Sequence, residues 1–219
     1  MISLLKKYLA FMVFISVNVN AQIDIDNHEW KLRKDKLGIK VFTSKVPDSK
    51  YLAVSATMKI DATKPESIVS MIMDLENCKE WAVQCAKATV LERISETETY
   101  LYSRNNIPFP GRDRDAVTHV LWDRNTQTGI ISMSSTVVDD NRVEKVKGVI
   151  RIKYAIARWR FTPNSDGSLL IESYAHVDPA SDMPKWLLNS LLVGSPYSTM
   201  KRIRKRLSEG VYDNAVLNF

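Results

Sequence analysis

Glycine, histidine and cysteine are all scarce in this chain: seven, three and two among 219 residues. The glycines are scattered. None stands in a GxGxxG or P-loop spacing, so no cradle for a nucleotide phosphate is written here. Neither a GxSxG elbow nor an HExxH pair is present. Two cysteines with no histidine nearby cannot fill a tetrahedral metal site. No pair of acidic residues singles itself out for acid–base work. These absences point to a protein with no cofactor and no metal that is not an enzyme. They suit a cavity protein, in which apolar walls and a few polar groups do the work.

Long hydrophobic runs are missing too. The longest lies at residues 8–17, YLAFMVFISV, too short to span a bilayer. Lys6 and Lys7 precede it, and Val19-Asn20-Ala21 follows with small residues. That is the pattern of a secretory signal. We expect residues 1–21 to be a signal peptide and residues 22–219 to be one exported domain, periplasmic or secreted. Removing the two leader lysines lowers the formal charge from +6 to +4. So mild an excess permits attraction to anionic headgroups without demanding it. No basic motif interleaved with aromatics is present, and no nucleic-acid partner is expected.

In an exported chain Cys78 and Cys85 invite a disulfide. An unbroken helix between them would hold their Cα atoms about 10 Å apart, so the bridge requires the chain to leave the helix.

Hydrophobic content of 45% supplies one good core. Residues 23–35 read as a short amphipathic helix on Ile25, Trp30 and Leu32, ended by Gly38. Residues 39–46 and 51–60 alternate as a hairpin. Thr63 and Glu66 form a capping box for a helix carrying Ile68, Val69, Ile72 and Met73. Strands are expected at residues 88–95, 99–105, 115–123, 129–138, 146–162 and 168–177, with turn signals between them. Residues 183–207 then read as a long helix. Val193, Tyr197, Met200, Ile203 and Leu207 form its stripe, and Lys201, Arg202, Arg204, Lys205 and Arg206 its basic side. Gly194 and Pro196 predict a kink or a break. The plan is α+β: a bent antiparallel sheet gripping a C-terminal helix.

Several stretches, in order, look like one family. PFPGRDRD, with Arg114-Asp115, resembles the proline turn and Arg-Asp pair of START domains, the steroidogenic-acute-regulatory-related lipid-transfer family. Trp30 with Gly38 to Val41 resembles the family's opening. Asp74-Leu75-Glu76 with Trp81 resembles the segment after its second helix. Ile150-Arg151 and Trp159 to Pro163 resemble its long late strand. Val177-Asp178-Pro179 and Met183 to Leu187 resemble the entry to its lid helix. The resemblance covers residues 25–208.

It implies a helix-grip fold with a hydrophobic tunnel that holds one lipid, sterol or other apolar molecule. The tunnel wall is then expected to include Trp186, Leu187, Leu191, Tyr197 and Met200 from the helix. Tyr154, Tyr174, His176 and His119 are the candidates from the strands. Arg114, Asp115, Cys78 and Cys85 are expected to be structural. Some sterol-binding members carry a tunnel arginine with a carboxylate partner. The corresponding strands here, around Ala116 to Val120 and Leu101-Tyr102, show no such pair. The expected partners are a lipid or other hydrophobic molecule and, transiently, a membrane surface, with the protein a monomer. The rival reading is a cyclase- or hydratase-type enzyme on the same scaffold, with His119 or His176 as its acid or base.

Overall fold

The computed structural model describes residues 29–180 and 183–219. The expected signal peptide lies outside these residues. Ten strands form one curved antiparallel sheet: β1 (Lys31–Lys36), β2 (Ile39–Ser44), β3 (Ala53–Ile60), β4 (Cys85–Arg93), β5 (Glu98–Asn105), β6 (Arg114–Arg124), β7 (Ile131–Val137), β8 (Ile150–Arg151), β9 (Tyr154–Pro163) and β10 (Leu169–Asp178). Helices α1 (Pro65–Met73) and α2 (Cys78–Trp81) follow β3, and α3 (Lys185–Ser208) closes the fold. The strand order is β1-β2-β3-β10-β9-β7-β6-β5-β4. The short β8 departs from the antiparallel rule and pairs in parallel with β6. No helix among the described residues is long and apolar enough to cross a membrane.

Local chemistry accounts for the departures from the sequence reading. Residues 31–36 form a strand where a helix is expected. Leu37 and Gly38 both take positive φ, 55° and 68°, and close a two-residue hairpin from β1 to β2. Gly38 ends a helix or turns a hairpin equally well, and here it turns one. The carbonyl of Leu37 accepts from Arg204 Nη1 at 2.8 Å, so α3 holds the turn. The expected capping box is also absent. Thr63 Oγ1 donates to the Asp61 carbonyl, and Glu66 is drawn 2.5 Å from Arg124 Nη2 on β6. Helix α1 starts instead on Pro65 at its first turn, where a missing N–H is harmless. The long strand expected at residues 146–162 divides into β8 and β9.

Helix α3 runs without interruption through Gly194 and Pro196, where a kink or break is expected. Its stripe of Tyr197, Met200, Ile203 and Leu207 is buried against the sheet. Helix α2 ends at Trp81. That departure from the helix brings the Cα atoms of Cys78 and Cys85 to 5.9 Å, and the two are joined in a disulfide.

Candidate ligand cavity

The register divides the inner face of the sheet into two unlike ends. Residues paired across neighbouring strands share a face. One row runs Ile39, Met58, Ile171, Phe161, Ile131, all large and all fully buried. Four residues along the strands the row reads Thr43, Val54, Ala175, Ala157, Ser135. Large side chains meet the C-terminal half of α3 and fill the gap. Small ones cannot reach the N-terminal half.

The gap is a cavity of about 720 Å³, within the range that holds a single organic ligand. Its walls are largely aliphatic: Val54, Ala175 and Val177 from the sheet, Leu188, Leu191 and Leu192 from α3, and Ile107 and Ile152 from the connections. A second cavity of about 240 Å³ lies against α1, α2 and β4–β7, lined by Trp81, Leu101, Val120, Trp122, Ser135 and both cysteines. Asn105 lines both.

The run Arg112 to Asp115 organises the rim. Arg114 and Asp115 are consecutive in β6 and therefore face opposite ways, so they do not pair with each other. Asp115 lies on the outer face, 1% exposed, and Arg151 Nε donates to it at 2.8 Å. The Tyr102 hydroxyl donates to the same carboxylate at 3.2 Å. Burial, with Asp115 beside it, pushes the Tyr102 phenol up, and the hydrogen bond to Asp115 raises the Arg151 guanidinium. Asp113 accepts from Arg104 Nη2 at 2.7 Å and from the Ile107 amide at 3.2 Å. Arg114 lies on the inner face, 5% exposed, opposite Asn105, and lines the larger cavity. Its Nη1 donates to the Arg112 carbonyl, and burial pushes its pKa down.

The residues expected to form the wall are distributed more widely. Leu191 lines the larger cavity. Leu187 is buried beside it, against Gly111. Trp186 points outward, 62% exposed. Tyr197 and Met200 belong to the packed core, with Lys34 Nζ 3.8 Å above the Tyr197 ring.

The four strand candidates occupy the outer face. His119 pairs with Thr136 and Tyr100, one step out of phase with the inward Val120. Its Nε2 meets Glu98 at 2.8 Å, and its ring stacks on Tyr100. Tyr154, Tyr174 and His176 share the parity opposite to Ala175. Tyr174 is buried there under the edge of Trp30. His176 shares a 2.9 Å hydrogen bond with the Ser49 hydroxyl and meets the Tyr154 ring edge-on.

The sequence reading missed Asn105, Ile107, Ile152 and Leu188, and treated Arg114 as structural only. Trp122 could have set the phase of β6. It is buried on the inner face, and Arg114 lies eight residues away on the same parity.

A curved sheet closed on a long C-terminal helix, with a cavity at one end of the grip, defines a helix-grip protein. This chain belongs to the START domain family, whose family model matches residues 17–211. An uncharacterised protein of Pseudomonas aeruginosa is 29% identical over 176 residues, 80% of this chain and 85% of its own length. The crystal structure of a STAR-related lipid transfer protein from Xanthomonas axonopodis superposes with a TM-score of 0.73 at 28% identity, covering 82% of this chain and 98% of that one. Human StAR-related lipid transfer protein 5 gives a TM-score of 0.77 at 16% identity, over 86% of this chain and 91% of its own. The last is a likeness of fold.

Proposed function

We propose that this chain binds one lipid or other hydrophobic molecule between α3 and the sheet and carries it shielded from water. The observation that carries this reading is the aliphatic cavity of about 720 Å³ under the N-terminal half of α3. Burying an acyl chain gains about 0.8 kcal/mol per CH₂ over water. Against a bilayer that gain largely cancels, so exchange is governed by opening of the rim at a membrane surface. Phe109, 92% exposed, and Trp186 flank that rim and would enter the headgroup layer. The basic side of α3 is less available. Arg202 donates to the Lys79 carbonyl, Arg204 to that of Leu37, and Arg206 pairs with Glu209.

A carrier rather than an enzyme is supported by His119 and His176, the acid–base candidates, which lie on the sheet face away from the cavity. The disulfide supports an oxidising compartment. We accordingly propose that residues 1–21 direct export and that residues 22–219 act as a monomer.

Native mass spectrometry of the protein, purified without detergent from cells expressing the full chain, tests all of this. A protein of residues 22–219 with one discrete adduct, lost on organic extraction, is expected. A clean apo mass that takes up nothing from total lipid extract would overturn the carrier reading.

A further inference from the structure

The smaller cavity is mainly apolar, yet an unmatched donor stands on its wall. Trp81, the last residue of α2, lines it. Its Nε1 is buried and, among the described residues, meets no acceptor. An indole has that one N–H and no acceptor of its own, so its whole polar capacity is unmet. A buried donor in this state costs its full desolvation, which a ligand or a water would relieve. The sheet side of the same cavity adds neutral polar groups, the hydroxyls of Ser103, Thr118 and Ser135 and the Asn105 amide. All four lie on the inner face. Asn105 is paired with Arg114, Ser103 with Ala116, Leu101 with Thr118 and Val120 with Ser135. Among the described residues the charged member of this wall is Arg93, which is exposed to solvent.

The two cavities adjoin. Asn105 lines both, and the consecutive Gln84 and Cys85 line one each. At about 240 Å³ the smaller one is below the range that holds a whole organic ligand. It has room for one end of a molecule whose body fills the larger. We propose that the smaller cavity seats the polar end of the ligand, and that this end is a neutral acceptor, a carbonyl or hydroxyl oxygen, bound by Trp81 Nε1–H. This rests on the reading that the larger cavity holds a hydrophobic ligand, and adds where its polar end sits and of what kind it is. The donors decide the kind. An indole N–H and three hydroxyls satisfy a neutral oxygen, and the hydroxyls also accept from a ligand hydroxyl. A carboxylate or phosphate would leave water for a wall whose cation stays in solvent, at a cost that neutral donors do not repay. A pure hydrocarbon would leave the indole N–H unmatched.

The test uses the full chain and the neutral fluorophore N-phenyl-1-naphthylamine, with displacement read by fluorescence and by native mass in parallel. The competitors share one dodecyl-length chain: dodecan-2-one, dodecanol, dodecanoate and dodecane, each delivered from cyclodextrin. The ketone or the alcohol is expected to displace the fluorophore at about tenfold lower concentration than dodecane or dodecanoate, the worth of one well-made hydrogen bond. In a proton–nitrogen correlation spectrum, the sequentially assigned Trp81 indole signal should move farther downfield with the preferred ligand than with dodecane. Trp81→Phe keeps a ring and removes the donor, and should erase most of that ligand's advantage over dodecane. A folded Trp81→Phe protein with the advantage intact, or a Trp81 signal that responds equally to both ligands, would overturn Trp81 as the seat. If the variant does not fold, the wild-type ranking and spectrum still decide. Equal displacement by dodecane, ketone and alcohol overturns the polar seat while the hydrophobic cavity stands. Dodecanoate ahead of both neutral oxygen ligands overturns the neutral head. No uptake of the fluorophore or of any competitor overturns the hydrophobic reading itself.

Discussion

The two ends of the inner sheet face are built from the same strands and the same helix, yet they are stabilised in different ways. At one end Phe161, Ile171, Met58 and Ile39 meet Met200, Ile203 and Leu207 of α3, and packing does the work. At the other, small residues leave a cavity, and the surrounding wall is tied by polar and covalent links. These are the Arg151–Asp115 pair, the Arg104–Asp113 pair and the Cys78–Cys85 disulfide. A hollow end forgoes the dispersion and burial that fix a core. Its walls must be held from outside the hollow, and the links sit on the outer face and at the rim.

The sharpest break of this contrast is a pair of substitutions in the two rows. Phe161→Ala at the packed end removes a fully buried ring and should cost about 3–5 kcal/mol. Ala175→Leu at the hollow end should change stability by less than about 1 kcal/mol, because the added methylenes enter open space. It should also reduce the uptake of N-phenyl-1-naphthylamine. Urea unfolding reads the first quantity and fluorophore titration the second. A costly Ala175→Leu would mean that the small row is already packed.

Next in size is Asp115→Ala, which leaves the Arg151 guanidinium partly buried without its carboxylate. The expected loss is about 3 kcal/mol. Urea unfolding reads it, and a loss below about 1 kcal/mol would show that the Arg151–Asp115 pair is not a structural tie. Replacing both cysteines by serine opens a short loop at the edge of the second cavity, and about 2–3 kcal/mol should go. Adding reductant to the unchanged protein should reproduce that shift in the urea midpoint.

Legibility in the sequence follows the same division. The packed stripe of α3, Tyr197, Met200, Ile203 and Leu207, is visible as helical spacing because large apolar residues mark a buried face. The hollow end inverts that rule. In β10 the inward residues are Ser173 and Ala175, while the conspicuous Tyr174 and His176 point outward. A reader looking for a cavity wall picks large rings, and the cavity exists where the side chains are small. The phase of β6 is ambiguous for a related reason. Val117 and Leu121 lie on one parity and Ala116, Val120 and Trp122 on the other, so alternation alone leaves the faces unassigned. The strand at residues 31–36 is charged almost throughout and takes its form from pairing with β2, which no local pattern announces. Strands β2 to β7 and the disulfide, by contrast, are legible because turn residues and cysteine spacing are local signals.

The smallest effect tests the polar ties by pH. The hydrogen bond from Arg104 holds the Asp113 carboxyl below the usual carboxylate range, against burial, with the Ile107 amide assisting. The folded protein therefore binds this proton less readily than the unfolded chain does. The contribution is complete above the unfolded value, about pH 4, and is lost as the pH falls through it toward the lower folded value. Asp113→Asn should cost about 1 kcal/mol near neutral pH, since Arg104 is partly exposed and solvent screens the pair. As the pH falls below the usual carboxylate range and through the lower folded value, the mutant and wild type should converge in urea midpoint, as the wild-type carboxyl takes up its proton. The loss from Phe161→Ala should be the same in acid as at neutral pH, because no charge is involved. An Asp113→Asn deficit that persists undiminished in acid would show that the side chain acts by shape, keeping the 107–113 loop in place. The hollow end would then rest on packing after all.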